Sequence, residues 1–166
     1  MLEEVRISYI SEDLSESFNR CVGSVSLERK YLVTTAPYPV SSTIDYVRSM
    51  MANHYPLYVA VNSQNQVVGW CDVVPKRHEG LTHVGVLALG VRKEYRGGGV
   101  GSKLLTQAIA HTKQMGLEKM ELDVFESNRS AIRLYEEFGF TLEGRKVKSR
   151  KLDGTYDNIL LMGKFL

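Results

Sequence analysis

The stretch Arg96-Gly97-Gly98-Gly99-Val100-Gly101 joins two segments of different character, and this junction is where chemistry first becomes legible. Before it, His83 to Val91 is a run of apolar and small residues about the length of a strand. After it, Leu104, Leu105, Ala108, Ile109, Thr112 and Met115 recur on one face of a helix running from Ser102 to Met115. The first N–H groups of a helix have no partner within it, and the helix dipole places partial positive charge there. Glycines ahead of such a terminus let an anion approach the backbone with no Cβ in the way. The ligand expected at this turn carries phosphate.

Two common glycine loops fail on spacing. A P-loop requires Gly-Lys-Ser or Gly-Lys-Thr, and no glycine here is followed by either pair. The dinucleotide pattern Gly-x-Gly-x-x-Gly places its last glycine on Ser102 if read from Gly97 and on Leu104 if read from Gly99. From Gly98 it already fails at Val100.

The pattern that remains is Arg-x-x-Gly-x-Gly, with Arg96, Gly99 and Gly101 in its fixed places. It resembles the pyrophosphate loop of the GNAT superfamily of acyl-CoA-dependent N-acetyltransferases. A second motif lies 27 residues beyond Gly101. Asn128 to Phe140 reads NRSAIRLYEEFGF, similar to that superfamily's Asn-x-x-Ala-x-x-Leu-Tyr-x-x-x-Gly-Phe. The resemblance is strongest from about Val67 onward and covers the N-terminal third only in general layout. In length and C-terminal pattern the chain resembles the bacterial small-molecule branch, with its phosphinothricin and amino-acid N-acetyltransferases.

The resemblance implies acetyl-CoA as co-substrate, with its pyrophosphate held by the N–H groups of Gly97, Gly98, Gly99, Val100 and Gly101 and by Ser102. Arg96 would add charge or point to solvent; both readings stay open. Main-chain groups of Leu89, Gly90 and Val91 would hold the pantetheine arm. Asn128 and Tyr135 are seven residues apart, roughly 10 Å along one helix face. Asn128 is placed to touch the arm or to cap the helix, and Ala131 between them is small enough to let the arm pass.

Tyr135 matches the family's general acid, which protonates the leaving thiolate after a neutral amine attacks the thioester. A backbone N–H near Val91 is the expected oxyanion donor. No base is assignable: Thr82 to Val91 contains no carboxylate, and His83 sits at the wrong end of the strand. Glu121 and Asp123 share one face of the next strand and read as structural or solvated carboxylates. The expected acceptor is a primary amine of a small molecule, bound by segments of roughly 25–55 and 146–158, with Tyr31, Tyr38 and Tyr55 as aromatic walls. A protein N-terminus or lysine as acceptor, and a non-catalytic acyl-CoA sensor, are the competing readings.

These groups need a scaffold. Val5 to Ile10 reads as a strand, followed by Ser11 or Asp13 as cap of a helix over Leu14 to Arg29. Ser41 or Ser42 would cap a second helix reaching Asn53, with Ile44, Val47 and Met51 inward. Leu57 to Val61 and Gln66 to Val74 read as a hairpin around Asn62 to Asn65, and Val84 to Val91 leads into the glycine loop. Lys119 to Phe125 alternates as a strand, and Thr141 to Leu152 and Thr155 to Phe165 flank the turn Asp153-Gly154. The order predicts an α/β sandwich with a mixed sheet. The resemblance adds three layers, about seven strands and four helices, and a sheet splayed between strands four and five to admit acyl-CoA.

At 166 residues one domain, 1–166, is the simplest reading. An apolar fraction of 43% and a charged fraction of 24% are ordinary for a globular chain. A net charge of +2 argues against a nucleic-acid partner, and no apolar run is long enough to span a bilayer. Cys21 and Cys71 have neither metal nor disulfide-scaffold spacing, and the four histidines are scattered, so no metal is expected. Reduced cysteines and an N-terminus without signal-peptide layout point to the cytoplasm. The apolar end ILLMGKFL reads either as a core strand or as the seam of a homodimer.

Overall fold

The computed structural model describes residues 3–166. One sheet of seven strands runs through it: β1 (Arg6–Tyr9), β2 (Leu57–Val61), β3 (Val67–Pro75), β4 (Val84–Val91), β5 (Lys119–Phe125), β6 (Thr141–Leu152) and β7 (Thr155–Phe165). Their spatial order is β1-β2-β3-β4-β5-β7-β6. Only the β4–β5 pair is parallel among these neighbours, so the sheet is mixed, as the element order predicts.

Four helices cover the two faces. Helices α1 (Ser15–Ser26) and α2 (Val40–Ala52) lie over one face, where Phe18, Val25, Val47 and Met50 pack against Leu57, Val59 and Trp70. Helices α3 (Val100–Gln114) and α4 (Arg129–Glu137) cover the other, with Leu104, Leu105, Ala108 and Ile132 against Val68, Cys71, Met120 and Leu122. From Gly69 onward, past a register shift against β2, β3 alternates between these two layers: Trp70 faces α1 and α2, while Cys71 and Val73 face α3. Burial of aliphatic side chains of this size contributes about 1.5–3 kcal/mol each. The layers therefore hold the sheet from both sides. No helix among the described residues is long and apolar enough to cross a membrane.

Two N-terminal expectations need correction. Neither Ser11 nor Asp13 caps α1; a 3-10 turn over Glu12–Leu14 precedes it, and the Leu14 amide bonds the Ser11 carbonyl. Helix α2 begins at Val40, directly after Pro39, with no side-chain cap. Proline fixes φ ahead of the first turn, and its carbonyl takes the first amides, from Ser42 and Thr43. Ser41 and Ser42 are therefore inside the helix. Its inward face is Thr43, Val47 and Met50, not Ile44, Val47 and Met51, because Asn19 of α1 donates to Thr43 Oγ1 at 2.9 Å and sets the rotation.

Candidate active site

The glycine loop follows β4 through a 3-10 turn (Lys93–Tyr95) and enters α3 at Val100. Gly97 and Gly99 both have φ of +80°, the left-handed region that an L side chain rarely adopts. Gly99 caps α3 without offering a side chain, and the first helical bond runs from the Lys103 amide to the Gly99 carbonyl. The amides of Gly97 to Ser102 donate to no group among the described residues. Six consecutive unpartnered N–H groups at a helix N-terminus form a cradle for an anion.

The sheet opens beside this cradle. Strands β4 and β5 pair through Val84–Val86 and Lys119–Glu121, and there the pairing ends. From Leu87 to Val91, β4 keeps β3 on one side and has a gap on the other. Main-chain groups facing that gap need a partner that a ligand's amides can supply. Gly90 is set in place from the opposite layer: a Cβ there would lie 2.2 Å from the Trp70 ring.

A cavity of about 310 Å³ occupies the cradle and the start of the gap. It brings together most of the residues expected from sequence: Leu89, Gly90 and Val91 from the strand, Arg96, Gly97, Gly99, Val100, Gly101 and Ser102 from the loop, and Asn128 and Ala131 from α4. Gly98 does not line it. Asn128 is the N-cap of α4, its side-chain oxygen accepting from the Ala131 amide at 3.3 Å, and it also lines the cavity. The capping role is therefore real, and it leaves the residue on the cavity wall.

Arg96 neither points to solvent nor offers a free charge. Its Nε donates to the Val91 carbonyl at 2.8 Å, its two terminal nitrogens donate to Glu28, and its guanidinium stacks 4.7 Å from the Tyr31 ring centroid. It ties the loop to the end of β4 and to the chain just beyond α1.

A second cavity, of about 520 Å³, adjoins the first; Tyr31, Leu89 and Asn128 line both. Tyr135 lines this larger one, packed edge-on against Phe140 at 5.7 Å. Burial, with a smaller contribution from neighbouring Cys71, pushes its phenol well above the usual tyrosine range. It remains a protonated donor, and no described group hydrogen-bonds its hydroxyl.

The outer walls of the larger cavity depart from expectation. Tyr31 and Tyr38 are present, but Tyr46 stands there and Tyr55 does not. Residues 146–158 contribute nothing to the wall. The β6–β7 hairpin instead braces the 29–30 segment from outside, through Asp153 accepting from Arg29 at 2.8 Å and Arg150 donating to the Lys30 carbonyl at 2.9 Å. Glu121 is turned away into ion pairs with Lys76 and Lys119, whose hydrogen bonds, Lys76's first, hold its carboxyl below the usual range. Asp123 lines the cavity.

Sequence reasoning missed Asp72. It stands alone in the otherwise apolar run of β3, a carboxylate in a strand covered on both faces, and that misfit was the available signal. It is 8% exposed, accepts from the Tyr46 hydroxyl at 2.8 Å and lines the larger cavity. Burial raises its carboxyl to about 6, against the opposing hydrogen bonds from Tyr46 and the Ala88 amide. Among the described residues, no three of His, Cys, Asp or Glu gather as a metal site.

An amide cradle at a strand–loop–helix junction of an α/β fold, opening on a split between two parallel strands, is an arrangement suited to a long anionic ligand. Residues 12–140 match the family model described as Acetyltransferase (GNAT) family, and the chain belongs to that family. Among curated relatives, a mycothiol acetyltransferase of Geodermatophilus obscurus is 37% identical over 83 residues, or 49% of this chain and 27% of that protein. The chain thus spans about a quarter of the length of that relative. Among solved structures, a phosphinothricin acetyltransferase from Sinorhizobium meliloti in complex with acetyl-CoA superposes with a TM-score of 0.91 at 18% identity, covering 98% of this chain and 88% of that one. A ribosomal-protein-alanine N-acetyltransferase from Brucella melitensis does so with a TM-score of 0.89 at 22% identity, over 97% and 99%. The likeness to these two is one of fold.

Proposed function

We propose that this protein is an acetyl-CoA-dependent N-acetyltransferase whose acceptor is a primary amine on a small molecule. The observation that carries the reading is the row of unpartnered amides from Gly97 to Ser102 beside the open edge of β4. That row suits a diphosphate, and the adjoining gap suits the extended arm of coenzyme A. Family membership and the acetyl-CoA complex of a structural neighbour agree with this ligand.

Acetyl-CoA supplies an acetyl group activated as a thioester. The chain's residues then have three tasks. Leu89, Gly90 and Val91 orient the arm through main-chain groups, and a backbone N–H near Val91 stabilises the carbonyl oxygen as charge develops on it. The amine, arriving as an ammonium ion, gives up one proton and attacks the carbonyl carbon. Tyr135, kept protonated by burial, donates to the departing sulfur and recovers a proton from the newly bonded nitrogen. Net, one ammonium and one thioester yield one amide, one thiol and one proton.

A small acceptor is favoured over a protein chain because the larger cavity is walled by α1, the 31–46 segment and the sheet. The test is release of CoA thiol from acetyl-CoA across a panel of amines, with calorimetry of acetyl-CoA alongside. Saturable binding with turnover on at least one small amine is expected. Binding without turnover on any amine would make this a sensor, and absence of binding would remove the proposal altogether.

A further inference from the structure

The larger cavity has an asymmetric chemistry. Aromatic and aliphatic side chains make most of its wall, two carboxylates (Asp72 and Asp123) enter it, and no Lys, Arg or His does. Asp72 is buried, and its two hydrogen-bond donors, the Tyr46 hydroxyl and the Ala88 amide, are both neutral. Two nearby cations are committed elsewhere: Arg96 to Glu28, and Arg150, stacked over Phe125, to Asp157. A buried carboxylate without a cation is unfavourable, and a positive charge brought from outside would complete this site.

Its position fits that role. Asp72 is the Cα partner of Ala88, the residue immediately before the Leu89–Val91 edge, and Tyr135 lines the same cavity. A group bound to Asp72 therefore shares its cavity with Tyr135, the proposed proton donor.

We infer that Asp72 binds the ammonium of the acceptor, and that the acceptor is a primary amine with an apolar or aromatic body and no carboxylate, phosphinate or phosphate group. An acidic acceptor would place its anion in a wall that already holds two carboxylates and lacks a counter-charge. Amino acids and phosphinothricin fall outside the class, although the chain resembles enzymes named for them. This inference deepens the proposed function and rests on it.

Matched pairs test it: tyramine against tyrosine and phenethylamine against phenylalanine, with phosphinothricin and a short peptide as further probes. Binding is measured by calorimetry with CoA present, so the comparison stands whether or not turnover follows; CoA release is read in parallel. Each carboxylate-free amine is expected to bind at least ~10-fold more tightly than its amino-acid partner. Asp72→Asn, which still accepts from Tyr46, should weaken tyramine binding ~10-fold or more and leave acetyl-CoA affinity within about twofold. Equal or tighter binding of the amino acids, phosphinothricin or the peptide overturns the inference, as does unchanged tyramine binding in a folded Asp72→Asn. Loss of acetyl-CoA binding by the unaltered protein would instead sink the proposed function. If Asp72→Asn does not fold, the matched pairs decide alone.

Discussion

The guanidinium of Arg96 is forked onto the carboxylate of Glu28 by hydrogen bonds of 2.6 and 2.9 Å, so the amide cradle is fastened to the chain just beyond α1. Neither side chain is more than a third exposed, at 30% and 22%. Solvent screens the pair in part, which limits its worth. The tie positions the loop and leaves Arg96 no charge to spare for a phosphate.

Glu28→Gln should accordingly weaken acetyl-CoA binding by about three- to tenfold. Arg96→Ala should do the same, and the double variant should be little worse than either single one, since both remove one interaction. Calorimetry of the four proteins completes the cycle. Tighter binding in Glu28→Gln would mean that Arg96, once freed, reaches the phosphate, and the positioning role would be lost.

Tyr135→Phe offers a cleaner separation. The hydroxyl has no partner among the described residues and the ring packs on Phe140, so removing the oxygen should leave the melting temperature within a degree or two. Turnover should fall by about 10² or more, with acetyl-CoA affinity unchanged. The pair of readings, kcat by thiol release and Kd by calorimetry, distinguishes a proton donor from a packing residue.

Much of this was legible before the structure, for reasons particular residues show. The glycine loop and the Asn128–Tyr135 helix are local: their patterns are read from spacing within a dozen residues, and the structure places both beside the open edge of β4. Strands β4 to β7 were equally plain, because alternation and the Asp153-Gly154 turn are also local signals. The larger cavity was less so. Its wall is assembled from α1, the 31–46 segment, β3 and β5, and no spacing rule relates Tyr46 to Asp72, 26 residues away. The role of Arg96 was hidden for the same reason, since its partner Glu28 is 68 residues distant. The α2 face slipped by one position where a polar Thr43–Asn19 bond outweighed the apolar pattern.

Gly99→Ala probes the cradle's backbone. An added Cβ would meet nothing within 4 Å, so the penalty is conformational: about 1–2 kcal/mol for holding a residue with a side chain at φ +80°. The loop is expected to relax that strain by leaving the left-handed region, which turns the amides away from one another. Acetyl-CoA affinity should drop by about tenfold or more while the fold persists. Gly80→Ala, also at positive φ with open space around it but on a distant turn, is the control: similar destabilisation and unchanged binding are expected.

The pH dependence of stability isolates Asp72. Its folded-state carboxyl lies at about 6, raised by burial, against an ordinary 3.8. Between those values the folded protein holds a proton that the unfolded chain has released, so this group's contribution to stability falls as pH rises from about 4 to about 6 and is flat above. A carboxyl so raised is destabilising by on the order of 2 to 3 kcal/mol at neutral pH. Asp72→Asn removes the ionisation and keeps the acceptor for Tyr46; Asp123, Tyr31, Tyr38, Tyr46 and Tyr135, the other titratable groups on the cavity wall, are untouched. The variant should therefore unfold at a higher denaturant concentration than the parent at pH 7.5 and at nearly the same concentration at pH 4. Adding a bound amine should close the neutral-pH gap from the parent's side, because an ammonium against Asp72 supplies the missing charge. A parent protein that is equally stable relative to Asp72→Asn at both pH values would show that Asp72 has a cation partner already, and the acceptor site would have to be sought at Asp123.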